Sequence, residues 1–219
     1  MSNETTNPVV KWILIGIIVV SVCVIGAFVL LGTYPAEEYR VARELESRGF
    51  TVYFEWQGNN IWKYPALVRG EDRSITEDDS RLIGQLTHLK RLEFRRSDLS
   101  GLNLDKIGNC RELEDFQCEN VTPFPVDEIR KLAACPIIVS LIYNSCLNDS
   151  DLEVLAEWPT VRFLNLNANV EITDAGFEHL EKIASLTTLL LEGTSVTKEG
   201  VEEFKKKRPD VNVWYDGMP

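Results

Sequence analysis

Between Leu89 and Thr194 the apolar residues recur at one spacing, L-x-x-L-x-L-x-x-N/C/T, five times over. The sets are Leu89-Leu92-Phe94-Ser97, Leu113-Phe116-Cys118-Val121, Ile138-Leu141-Tyr143-Cys146, Val161-Leu164-Leu166-Asn169 and Leu186-Leu189-Leu191-Thr194, with starts 24, 25, 23 and 25 residues apart. One unit of this size cannot bury its own apolar face, whereas a stack of units can. The pattern therefore predicts an α/β right-handed solenoid, with a parallel sheet on its concave face and short helices on its convex face. A second series of apolar anchors, Ile75, Leu99, Val121, Leu147, Ile172 and Val196, runs between the strands. Four of these open a polar stretch: Ile75-Thr-Glu-Asp-Asp, Leu147-Asn-Asp-Ser-Asp, Ile172-Thr-Asp-Ala-Gly and Val196-Thr-Lys-Glu-Gly. A Thr or Asn followed by carboxylates satisfies the free N–H groups of a helix start. Convex helices are expected after them, for example over 151–157 and 174–183.

The pattern ahead of the repeats is different. Trp12 to Tyr34 is a run of 23 residues without a charge, closed on its outer side by Lys11. At about 1.5 Å per residue it covers a hydrocarbon core of about 30 Å. A cleaved signal peptide would have an apolar run of only about 7–15 residues behind a basic start. The reading is one transmembrane helix over 11–34, after a polar, disordered tail over 1–10. Residues 35–74 form an N-terminal cap, 75–215 the repeat domain and 216–219 a tail. Within the cap, Ala36 to Arg48 is an amphipathic helix ended by Gly49. Phe50 to Trp56 alternates as a strand, with Phe50, Val52, Phe54 and Trp56 on one side. Residues 57–74 show no clear period and are expected to be irregular, with a degenerate repeat around Ala66 to Arg69. Val211 to Tyr215 supplies a last strand.

Charge narrows the partners. The net charge is −11. Residues 36–110 hold 12 basic and 13 acidic side chains; residues 111–219 hold 10 and 20, so the distal half is about −10. That half repels phosphate backbones and anionic headgroups, and nucleic acid is not an expected partner. The basic run Lys205-Lys206-Lys207-Arg208 sits where a helix should end, and complements the helix dipole there. Arg40, Arg43 and Arg48 outnumber Lys11 across the apolar run, which leans the domain toward the cytoplasmic side.

Candidate chemistry is sparse. His88 and His179 have no Cys or Ser partner in a motif, and Glu71-Asp72 with Glu77-Asp78-Asp79 lacks the alternation and central Gly of a calcium loop. No catalytic residue, metal or cofactor is expected. Cys118 and Cys146 take core positions of their repeats. Cys110 and Cys135 each lie three residues before the first Leu of a repeat, so they stack in adjacent coils; a bridge and two reduced thiols are both open readings.

Side chains alternate along each strand, so three rows should face solvent. They are Arg91, Asp115, Ser140, Phe163, Thr188; then Glu93, Gln117, Ile142, Asn165, Leu190; then Arg95, Glu119, Asn144, Asn167, Glu192, with Trp214 continuing the third row. The early strands carry ion-pair ladders. The later ones expose Ile142, Phe163, Leu190 and Trp214, with Asn165 among them and Glu119 and Glu192 at the rim. These seven residues are the candidate binding patch; ordinary scattered surface apolars are the competing reading.

The turns resemble a known family. Asn169-Val-Glu-Ile-Thr-Asp-Ala-Gly-Phe-Glu-His-Leu and Gly193-Thr-Ser-Val-Thr are similar to the leucine-rich repeats of F-box-type adaptors. They are closer still to the GT-x-VTDAG repeats of bacterial membrane-anchored leucine-rich-repeat proteins. The likeness covers about residues 75–215. It implies a scaffold that binds a protein or peptide noncovalently, and carries over no catalytic residue. The chain lacks an F-box-like helical segment, and Pro123 and Pro125 replace the polar turn of the second repeat. An accessory structural subunit of a membrane-associated enzyme complex is the alternative role.

Overall fold

A computed structural model of the chain describes residues 36–56, 63–108, 110–122, 131, 147–158 and 160–216, and residues 140–144 through their backbone. The expected polar tail, the apolar run 12–34, the turn at Pro123 and Pro125, and Cys23, Cys135 and Cys146 lie outside the described residues. The chain divides into two units, Met1–Ala36 and Glu37–Pro219. Among the described residues no helix is long and apolar enough to cross a membrane.

The second unit is built on one eight-stranded sheet whose strands follow chain order. Helix α1 (Ala36–Ser47) leads into β1 (Thr51–Trp56), which pairs antiparallel with β2 (Lys63–Glu71). From β2 onward every pairing is parallel. The remaining strands are β3 (Arg91–Arg95), β4 (Asp115–Glu119), β5 (Ser140–Asn144), β6 (Phe163–Asn165), β7 (Thr188–Leu191) and β8 (Asn212–Tyr215). Between them lie α2 (Glu77–Ile83), α3 (Leu104–Ile107), α4 (Leu152–Leu155), α5 (Phe177–Leu180) and α6 (Lys198–Lys207).

Register explains the core. Val68, Leu92 and Phe116 are Cα partners in turn, as are Leu164, Leu189 and Val213, and all six are buried. The anchors Ile75, Leu99, Val121, Leu147 and Ile172 are each at most 3% exposed. A buried Leu, Ile or Phe stabilises by about 1.5–3 kcal/mol, an exposed ion pair by at most about 1. These apolar columns, not the surface charges, hold the stack together. Cys110 and Cys118 are both in the core.

Two sequence expectations are revised. The segment expected to be irregular contains the nine-residue strand β2, with Tyr64, Ala66, Val68 and Gly70 facing inward. Its small inward residues conceal the leucine spacing, but its parallel pairing with β3 shows the degenerate repeat to be a full strand. The convex helices near 151–157 and 174–183 are shorter than expected: single 3-10 turns, Asp149–Asp151 and Asp174–Gly176, lead into four-residue helices. The reach of the cap separates the two kinds of start. Thr76 and Thr197 accept from the backbone three residues on, and an α-helix follows directly. Asn148 and Thr173 accept from two residues on, which goes with the tighter turn.

Each described strand-end turn carries one residue in the left-handed region: Asp72, Arg96, Asn120, Ala168 and Gly193. Alanine is the anomaly, at φ 62° with no side-chain hydrogen bond available to offset the strain. Ala168→Gly is therefore expected to stabilise the unit by about 0.5–1 kcal/mol, read as a raised urea midpoint at unchanged slope.

Candidate binding face

The solvent side of the sheet is read along its register. One row runs Leu67, Arg91, Asp115, Ser140, Phe163, Thr188, Asn212; the next runs Arg69, Glu93, Gln117, Ile142, Asn165, Leu190, Trp214. Trp214 therefore continues the second row and not the third. The buried partners Leu189 and Val213 fix this pairing and place Trp214 directly beside Leu190.

The two ends of this face differ in chemistry. Over β2–β4 the charges are engaged with one another. Arg91 Nε donates to Asp115 at 2.7 Å, and Arg95 Nε lies 3.5 Å from Glu119. Glu93, expected to face solvent, is only 3% exposed. Arg69 donates to it at 2.5 Å and the Arg95 guanidinium stands 3.6 Å away, so neighbouring strands close over it. That hydrogen bond holds the Arg69 guanidinium above its usual pKa. A buried carboxylate is tolerable only with such partners. At the strand ends Arg96 grips Asp72 at 2.7 Å and Glu71 at 2.5 Å. Glu119 is half-buried in this ladder, so it belongs to the ionic end rather than to the rim of the apolar patch.

Over β6–β8 the face is apolar and amide. Phe163 and Leu190 are half-buried, and Trp214 is 53% exposed. Asn165 is partly occupied within the chain, because its Oδ1 accepts from the Asn167 backbone at 2.9 Å. The Glu192 side chain is exposed, while its backbone N–H donates to Asn167 Oδ1 at 2.8 Å. The backbone of Ile142 pairs with Asn165 and Gln117; its side chain lies outside the described residues. Thus Leu190 and Trp214 are adjacent, and Phe163 stands one strand from Leu190 on the neighbouring row.

Several features were not visible in the sequence. Trp56, expected on the same side of its strand as Phe50, Val52 and Phe54, is 59% exposed, whereas Phe50 and Val52 are buried. Trp56 is the last residue of β1, and the register irregularity opposite Tyr53 and Phe54 leaves Ala66 of β2 as the extra residue, which nothing in the sequence marks. The acidic residues after the Thr and Asn caps were read as complements to helix dipoles. Two of them also join repeats: Asp149 accepts from the Thr173 N–H at 2.8 Å and hydroxyl at 2.6 Å, and Asp174 accepts from Thr197 in the same way at 2.8 and 2.5 Å. Gly176 leaves space for this staple, since a Cβ there would stand 2.6 Å from Asp149 Oδ1. The Thr-Asp-Ala-Gly motif is thereby a joint: Thr caps its own helix and is held by the previous repeat, Asp holds the next, and Gly makes room.

The basic run also has intramolecular work. Arg208 donates to the carbonyls of Ile183 at 2.9 Å and Leu186 at 3.1 Å, Lys207 pairs with Glu181 at 2.8 Å, and Lys205 lies over the Tyr215 ring. His88 contacts Glu38 at 3.0 Å and His179 contacts Glu178 at 3.3 Å. Among the described residues no group of three or more His, Cys, Asp or Glu is placed to hold a metal.

Strand, left-handed turn and capped helix recurring about every 24 residues, with parallel strands in chain order, define a leucine-rich-repeat architecture. No protein-family model and no curated protein matches the chain. Among solved structures it is similar to a leucine-rich-repeat protein of Leptospira interrogans, at 15% identity and a TM-score of 0.42, over 61% of this chain and 33% of that one. It is also similar to an internalin of Listeria monocytogenes, at 15% identity and a TM-score of 0.40, over 64% of this chain and 44% of that one. The chain thus spans less than half the length of either protein.

Proposed function

We propose that this chain is a membrane-anchored leucine-rich-repeat solenoid that binds a protein or peptide noncovalently, with no catalytic step of its own. The apolar run 12–34 is the anchor, and Arg40, Arg43 and Arg48 favour a cytoplasmic domain. The observation that carries the binding site is the contrast along one sheet face. Its first strands are closed by internal ion pairs, while its last strands leave Leu190 and a 53% exposed Trp214 side by side. Exposed aromatics beside aliphatic neighbours supply the dominant energy of many interfaces, and the acidic surround, Glu192 among it, selects a basic rim on the partner.

The test begins with a photoreactive benzoylphenylalanine in place of Thr188, on the same face, in the host's own membranes. It should capture a discrete protein. Trp214→Ala and Phe163→Asp should each weaken binding of that protein by at least about 2 kcal/mol, roughly thirtyfold. Arg91→Gln, at the ionic end, should leave it nearly unchanged. Equal binding by Trp214→Ala and wild type would remove this patch as the site.

A further inference from the structure

We infer that the free edge of β8 pairs with β8 of a second copy of this chain, antiparallel about a twofold axis between the two Trp214 residues. This self-association does not depend on the capture of another protein by the Leu190–Trp214 patch.

Three observations point to this edge. The first is hydrogen bonding. β8 ends the sheet, and among the described residues its only strand partner is β7. The Asn212 N–H donates to the Thr187 carbonyl at 2.8 Å. Backbone groups alternate sides along an extended strand, so Asn212 and Trp214 turn theirs toward β7, and Val213 and Tyr215 turn theirs outward. The second is the composition of the edge. Exposed edges are usually blunted by charge, proline or a bulge. The strand Asn212-Val-Trp-Tyr has neither charge nor proline, and its pairing with β7 runs unbroken from Asn212 to Tyr215. At the other edge β1 carries Glu55 and pairs with β2 through a register slip. A recess of about 400 Å³ beside β8 is lined by Lys205, Pro209, Val211, Val213 and Trp214, so core residues of the last coil border open space.

The third observation is charge. Residues 111–185 hold 5 basic and 14 acidic side chains, whereas residues 186–219 hold 5 and 6. The last coil is therefore the part of the acidic half that can approach its own copy without strong repulsion. Chemistry then selects the register. With Trp214 opposite Trp214, Val213 and Tyr215 of the second copy exchange N–H···O=C bonds, and every outward backbone group of the strand is paired. Inward residues meet inward residues, the 53% exposed indole gains an aromatic neighbour, and Asp216 stands opposite Asn212 of the second copy. A register centred on Val213 would instead set Asp216 against Asp210 of the second copy, two like charges. The contact uses the same strand on both copies, so it closes as a dimer. It also joins the two Leu190–Trp214 patches into one face.

The test uses the purified full chain in detergent micelles, with Trp214→Cys and Asn212→Cys made singly and oxidised mildly. Circular dichroism checks each for an unchanged fold, and mass spectrometry reads disulfides between the substituted positions of two chains. Directly opposed residues of a non-hydrogen-bonded antiparallel pair have Cα atoms about 4.5 Å apart, within disulfide reach, so Trp214→Cys should cross-link to itself. The two Asn212 residues would be offset by more than about 13 Å, so Asn212→Cys should not. Adding Tyr215→Pro to Trp214→Cys removes an N–H that faces the second copy while keeping the bonds to β7, and should lower the cross-link yield at least about tenfold. No cross-link at 214, or equal cross-linking at 212 and 214, overturns the inference. So does a folded Tyr215→Pro protein that cross-links undiminished; if that protein is unfolded, the contrast between 214 and 212 decides. Light scattering of the wild-type chain should give two chains per micelle. One chain per micelle overturns self-pairing and leaves the edge to a foreign strand, and assemblies that grow with concentration overturn it in favour of an open head-to-tail contact.

Discussion

Gly84→Val lowers the stability of the Glu37–Pro219 unit by at least about 3 kcal/mol, while Gly108→Ala, at the equivalent place one repeat later, changes it by less than about 0.5 kcal/mol. Both glycines end a convex helix in ordinary right-handed geometry, Gly84 at φ −66° and Gly108 at φ −57°, so backbone freedom does not distinguish them. Space does. A Cβ at Gly84 would overlap the backbone carbonyl of Lys106, in the helix of the next repeat, whereas a Cβ at Gly108 would meet nothing closer than 3.7 Å. A side-chain tip can move aside, but a carbonyl belonging to a packed helix cannot. A valine at 84 must therefore push α2 and α3 apart and disturb Ile83, Leu104 and Ile107, all fully buried. Urea unfolding followed by far-ultraviolet circular dichroism measures both variants. A Gly84→Val protein as stable as wild type would show that the two helices do not approach so closely.

Asn169→Leu destabilises the same unit by about 2–4 kcal/mol despite being a polar-to-apolar change in a buried position. The side chain is 1% exposed, and its Oδ1 accepts from the Leu147 N–H of the preceding repeat at 2.8 Å. Its Nδ2 donates to the Leu166 carbonyl at 2.7 Å. Leucine matches its bulk but leaves the Leu147 N–H unpaired in the core, at about 1–3 kcal/mol, and removes the side-chain bond to the Leu166 carbonyl, which keeps the Asn169 backbone N–H at 3.3 Å, at about 1 kcal/mol more. The same position in earlier and later repeats works mainly locally, with Ser97 making one long contact, 3.5 Å, to the Gly70 carbonyl of the preceding strand. Ser97 donates to the Arg95 carbonyl at 2.8 Å and Thr194 to the Leu191 carbonyl at 2.7 Å. Ser97→Ala and Thr194→Ala should therefore cost only about 1 kcal/mol each. If Asn169→Leu were no worse than Thr194→Ala, the tie to Leu147 would not be contributing.

Both predictions concern joints between repeats, and this is where sequence and structure part company. Spacing alone determined the strands: Leu89, Leu92 and Phe94 and their later counterparts recur because a strand puts alternate residues inward and each coil must supply the same number of them. It also determined the cross-strand rows, so that Arg91 meets Asp115 and Arg95 meets Glu119 as the spacing implied. The caps were legible as well, because Thr76, Asn148, Thr173 and Thr197 each precede carboxylates or small residues in a short polar stretch. These are local properties, fixed by residues within a few positions of one another.

What only the tertiary structure decided depends on residues about 24 positions apart. Glu93 is buried because Arg69 and Arg95 close over it, which no pattern in its own strand reveals. Asp149 and Asp174 look like helix-dipole residues until the next repeat's threonines are seen in their grasp. Trp56 is left exposed at the end of β1, beside a β2 whose register slips by one residue, and Trp214 moves one row because Val213 must sit beside Leu189. The physical reason is common to all four. Periodicity specifies which face of its own element a side chain occupies, but its burial and partners are set by neighbouring coils, whose register comes from packing rather than from any local signal.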